Sequence, residues 1–125
     1  MKVTPSRFSY LLAFGLAVVA LTALVQAHTK LEKSEPRAGA VVTAAPGQIQ
    51  LWFNEKLDAA VSKIDLTSPS GKVDLGPTHA MADKSLMAAI TGKLGDGTYT
   101  VGWQTAGDDG HVVKGDFTFT VKLSH

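Results

Sequence analysis

The chain has 125 residues with 12 basic and 11 acidic side chains, a balance that gives no reason to expect nucleic acid or an anionic membrane surface as a partner. It has no cysteine. Disulfides and thiolate ligands are therefore excluded, and any soft-metal chemistry must use methionine and histidine.

The chain opens with Lys2 and Arg7 and no acid, followed by an apolar run from Tyr10 to Val25 broken only by Gly15 and Thr22. Val25-Gln26-Ala27 ends it with a small-x-small pattern. A basic start, an apolar middle and such an end predict a secretory signal peptide over 1–27, cleaved after Ala27. The run of 16 residues is short for a membrane span of about 20, so an uncleaved anchor is the weaker reading. Cleavage would leave 28–125, one small domain with 10 basic and 11 acidic side chains and a net charge of −1. Nothing in that balance calls for more than a monomer.

In the remainder, 29–34 reads as a first edge strand, and the Pro36 and Gly39 region as a turn. Gln48–Phe53 alternates and carries two aromatics, a half-buried strand. Residues 54–58 read as a connection with one helical turn. Val61–Thr67 is a strand, Ser68-Pro69-Ser70-Gly71 a turn and Lys72–Leu75 its hairpin partner. Residues 78–84 are weakly patterned, loop or edge strand, and Leu86–Ile90 is a short apolar run.

Thr98–Gln104 places Tyr99, Val101 and Trp103 on one face. Lys114–Leu123 alternates with Phe117, Phe119, Val121 and Leu123 inward. No segment has ten residues of helical periodicity. About seven short strands at regular spacing predict an all-β chain, a β-sandwich of Greek-key type.

Between the last two strands lies Gly107-Asp108-Asp109-Gly110-His111. A carboxylate and an imidazole two residues apart can converge on one metal where a glycine lets the backbone bend. In isolation such a pair is an ordinary polar loop. His28 changes that weighing. As a first residue it offers its α-amine and Nδ1 in one six-membered chelate ring, and an α-amine, titrating near about 7.7–8.0, yields its proton to a metal at small cost. His28, Asp109 and His111 together make a three-nitrogen, one-oxygen set, which suits tetragonal Cu(II) better than tetrahedral zinc.

These residues carry a resemblance to the CopC-like periplasmic copper-binding proteins over essentially all of 28–125. The matching stretches are His28, Ser34-Glu35-Pro36-Arg37-Ala38-Gly39, Ile49–Glu55, Gly97–Trp103 and Asp109–Phe119. The resemblance implies a cupredoxin-like, immunoglobulin-like sandwich and a periplasmic location. It implies a Cu(II) site of the amine and imidazole of His28 with Asp109 and His111, and an inner-membrane copper permease as a candidate partner.

Two departures stand out. Many relatives have a Met-rich Cu(I) loop where this chain has Ser68-Pro69-Ser70-Gly71, and Gln104 and Val112 replace an Arg and a Pro. His79 and Met81, at i and i+2, are the remaining candidates for a Cu(I) site, but a soft site needs two or three converging ligands, and Met87 lies in an apolar run that reads as core. Glu55 reads either as a carboxylate that orients the ligands or as an exposed loop acid. Trp52 and Trp103 read as core, and His125 as a frayed end.

The function expected is that of a Cu(II) carrier or buffer in copper homeostasis or resistance, with no catalytic residues. Two rivals remain at this stage. One is a copper redox enzyme built on a histidine brace, like the lytic polysaccharide monooxygenases. The other is a metal-free adhesion sandwich with incidental histidines.

Overall fold

The computed structural model describes residues 29–124. The expected signal segment, His28 and His125 lie outside the described residues. Nine strands are found among them: β1 Leu31–Glu35, β2 Val41–Val42, β3 Gln48–Phe53, β4 Lys63–Ser68, β5 Gly71–Val73, β6 His79–Ala80, β7 Ser85–Ala89, β8 Gly97–Ala106 and β9 Val112–Val121. They form a four-stranded sheet in the order β1-β3-β7-β6 and a five-stranded sheet in the order β2-β9-β8-β4-β5. Neighbours pair antiparallel except β2, which runs parallel to β9.

Alternation builds the core. Ile49, Leu51 and Phe53 of β3 point inward with Leu86 and Ala88 of β7, and they meet Ile64, Leu66, Tyr99, Val101, Phe119 and Val121 of the opposite sheet. Tyr99 stacks on Phe119 at 5.6 Å, and its hydroxyl donates to the Gly95 carbonyl. With no cysteine to cross-link it, the sandwich is held by this apolar contact, at roughly 25 cal/mol per Å² removed from water.

The strands of the sequence reading are present, with shifted ends. The first begins at Leu31 and carries a bulge between Leu31 and Lys33. The helical turn expected within 54–58 falls at Ala59–Val61, because Asp58 caps it by accepting from the Ala60 amide at 3.0 Å. The hairpin partner is Gly71–Val73, and Leu75 forms only an isolated bridge to Ile90. The strand count exceeds the expected seven because β2 and β6 have two residues each, too few to show a period.

Two assignments to the core are corrected. Trp52 lies on the outer face of the four-stranded sheet, since Leu51 and Phe53 take the inner one. Its ring lies under the Lys33 ammonium at 4.2 Å, and its indole N–H donates to Asp83 at 3.2 Å. Met87 lies on the same outer face, between Leu86 and Ala88, which point inward. Trp103 does pack on the core, edge-on to Phe53 at 5.1 Å.

Asp83 also accepts from the Ser85 hydroxyl, and that bond first, then the Trp52 indole, holds its carboxyl below the ordinary carboxylate range. A carboxyl whose folded pKa is depressed stabilises the fold above its unfolded value, about 3.9, and the contribution disappears as pH falls through the lower folded value. Asp83→Ala is therefore expected to remove a small part of the acid-limb pH dependence and to shift the Trp52 fluorescence while leaving the thermal unfolding cooperative.

Candidate metal centre

Asp109 and His111 stand on the loop between β8 and β9. The Gly110 amide donates to the Gly107 carbonyl at 3.1 Å, closing a tight turn, and Gly110 has φ +75°, a region where a Cβ is strained. The turn folds Asp109 back on the residue two ahead. Its Oδ1 accepts from the His111 amide at 3.0 Å, and its Oδ2 meets His111 Nδ1 at 3.2 Å.

With Nδ1 donating to the carboxylate, Nε2 carries the lone pair that a metal would use, the usual way a carboxylate sets the tautomer of a ligating imidazole. An ionised carboxylate has about four lone-pair positions, so Asp109 can hold the ring and still offer oxygen to a metal. The His111 side chain is 76% exposed and that of Asp109 39%, so their attraction is screened and worth at most about 1 kcal/mol. The pair orients; it does not hold the fold together.

The loop stands on a second group of residues at the start of the described chain. Thr29 is buried, and Lys30 is paired with Asn54: the Lys30 amide donates to Asn54 Oδ1 at 2.9 Å and the Asn54 amide to the Lys30 carbonyl at 3.1 Å. Glu55 follows directly and accepts from the Asp108 amide at 3.1 Å. The Asp58 amide donates to the Ala106 carbonyl at 2.9 Å, and Ser62 shares a 2.7 Å bond with the buried Thr105. These contacts fix the segment that follows β3 against the end of β8.

Glu55 and Thr29 close over Gly107 so tightly that a Cβ there would stand 1.9 Å from Glu55 Oε1 and 2.6 Å from Thr29 Oγ1. Thr29 Oγ1 is buried and has no hydrogen-bond partner among the described residues. An orphaned hydroxyl beside a carboxylate marks a polar niche, and it lies one peptide bond from residue 28.

Of the residues expected at the site, Asp109 and His111 are thus in contact, Glu55 grips the backbone of their loop, and His28 lies outside the described residues. Among the described residues no three His, Cys, Asp or Glu side chains are grouped to hold a metal ion. His79 and Met81 are elsewhere, at the β6 edge of the four-stranded sheet. Thr29, Asn54 and Gly107 were not singled out by sequence. The only signal was the position of Thr29 after a candidate ligand, and of Asn54 and Gly107 beside Glu55 and Asp108.

Residues 31–122 match the CopC domain. Protein YobA of Escherichia coli strain K12 is 36% identical over 125 residues, covering 98% of this chain and all of that protein. Copper resistance protein C of Pseudomonas syringae pv. tomato is 34% identical over 131 residues, covering 98% of this chain and all of that protein. The crystal structure of PcoC, a methionine-rich copper resistance protein from Escherichia coli, superposes with a TM-score of 0.69 at 38% identity, over 77% of this chain and all of that one. With its two-sheet sandwich and the domain match running from β1 past the end of β9, the chain belongs to the CopC family.

Proposed function

We propose that this chain is a periplasmic copper-binding protein that holds Cu(II) between His28, Asp109 and His111 and serves as a carrier or buffer in copper resistance or homeostasis. The copper resistance proteins among its relatives support the class of cargo. The observation that carries the reading is the Asp109–His111 pair, pre-oriented at 3.2 Å on a loop whose Asp108 amide Glu55 holds at 3.1 Å.

In this reading, export removes 1–27 and frees the amine of His28. Two nitrogens then come from His28, one from Nε2 of His111, and oxygen from Asp109, a set matched to Cu(II). Glu55 and the Thr29 hydroxyl are the groups to which this reading assigns the positioning of the amine. The exposure of His111 suits a site that must accept and release an ion. In this reading the function is binding and delivery, with an inner-membrane copper permease as the partner to which the family resemblance points, and the protein acts as a monomer.

The test is a Cu(II) titration of protein beginning at His28, followed by electron paramagnetic resonance. One equivalent is expected to bind with three nitrogens. His111→Ala should lose one nitrogen and about tenfold or more in affinity. A His111→Ala variant with unchanged spectrum and affinity would sink the assignment.

A further inference from the structure

The outer face of the four-stranded sheet carries, at its far edge, a second group of side chains of the types that can ligate a metal. β6 pairs with β7 so that His79 lies opposite Met87 and Ala80 opposite Leu86. The Met81 amide donates to the Ser85 carbonyl at 2.8 Å, extending the pairing by one step. Ala80 and Leu86 point to the core. By alternation His79, Met81 and Met87 therefore share the solvent face.

Directly opposed residues have Cβ atoms about 4.5–5.5 Å apart, and diagonal neighbours about 7–8 Å. An imidazole and two thioethers thus rise from one small triangle, and methionine has three rotatable bonds with which to converge.

Composition and exposure point the same way. The whole sequence has three methionines and four histidines, and two of those methionines lie in register beside one of those histidines here. Met81 is 41% exposed and Met87 is half-buried outside the core cluster. A single exposed methionine needs no explanation; two in register with a histidine form a donor set.

We infer that His79, Met81 and Met87 form a separate binding site for a soft monovalent ion, Cu(I). Thioether sulfur selects Cu(I) over Cu(II) and zinc, which favour harder donors. The nearby carboxylate of Asp83 is engaged by the Ser85 hydroxyl and the Trp52 indole, so the set stays soft. β6 and β1 are opposite edges of the sheet, three strand spacings or about 14 Å apart. The site is also on the other sheet from the Ser68–Gly71 turn, which joins β4 to β5. It does not depend on the Cu(II) reading of the Asp109–His111 loop.

The experiment is an anaerobic Cu(I) titration against a competing chelator, with the methionine ε-methyl resonances followed by NMR. One equivalent is expected to shift the Met81 and Met87 methyls together, in the parent protein and in His111→Ala alike. Met81→Leu combined with Met87→Leu, a volume-conserving change on an outer face, should leave the fold and the Cu(II) affinity unchanged and lower Cu(I) affinity about tenfold or more. His79→Ala should do the same to Cu(I). Methyl resonances that Cu(I) does not move, or a Cu(I) affinity equal in the parent and the double variant, would overturn the site.

Discussion

Protein that starts at His28 is expected to bind Cu(II) at least about 100-fold more tightly than the same protein carrying one extra residue before it, a difference of about 2.7 kcal/mol. The extra residue turns the amine of His28 into an amide. In the proposed site that removes a nitrogen donor and opens the chelate ring in a single step, without touching any described side chain. Loss of an outer-shell partner already costs roughly 10–100-fold in metal affinity, so loss of a ligand sets the lower limit here.

The geometry makes the test specific. Thr29 is buried and Lys30 is pinned to Asn54 by two hydrogen bonds, so an added residue has little reason to disturb the sandwich. Isothermal titration with a competing chelator measures the affinity, and electron paramagnetic resonance counts the nitrogens. Equal affinities and equal nitrogen counts would remove the amine from the ligand set and leave Asp109 and His111 as an exposed pair.

Gly107→Ala is the second large effect expected, and it acts on the footing of the loop. The new methyl would stand 1.9 Å from Glu55 Oε1, 2.4 Å from Glu55 Cδ and 2.6 Å from Thr29 Oγ1. Relief requires Glu55 to swing away, which breaks its bond from the Asp108 amide, and Thr29 to shift as well, since both stand under 3.0 Å. Overpacking of this kind costs about 1–3 kcal/mol, and the broken bond releases the amide next to Asp109.

Two comparisons separate this clash from a general glycine effect. At Gly47 a Cβ meets nothing within 4 Å and the substitution should be nearly neutral. At Gly110 a Cβ also has open space, but φ is +75°, so the cost there is backbone strain of about 1–2 kcal/mol. Chemical denaturation orders the three variants, and Cu(II) titration should show Gly107→Ala weakened well beyond Gly47→Ala. A Gly107→Ala protein as stable and as tight as Gly47→Ala would show that Glu55 and Thr29 are not the support described above.

Much of this was legible along the chain. β3, β8 and β9 could be drawn from alternation alone, because a strand with one face in the core repeats every second residue. The same rule held the phase of Trp52 and Met87: Leu51 and Phe53 flank one and Leu86 and Ala88 the other, so both had to face outward. Reading them as core set residue type above register. β2 was beyond reach, because two residues have no period and its pairing with β9 is decided by what lies beside it; for 78–84 the sequence offers loop or edge strand, and pairing with β7 makes His79–Ala80 an edge strand. The Asp109-Gly110-His111 turn could be read directly, since its two donors and the glycine that bends them are contiguous.

Contacts between distant segments could not be read that way. Glu55 meets the Asp108 amide across 53 residues of sequence, Lys30 meets Asn54 across 24, and Thr29 and Glu55 close over Gly107 only once β1, β3 and β8 are assembled. His79 and Met87 become a pair only through strand register. The sequence by itself determined the donor types and the two-faced strands, because both are local properties of side chains and their spacing. Which donors face one another was decided by the tertiary structure, because register and sheet packing are set by burying the whole core at once.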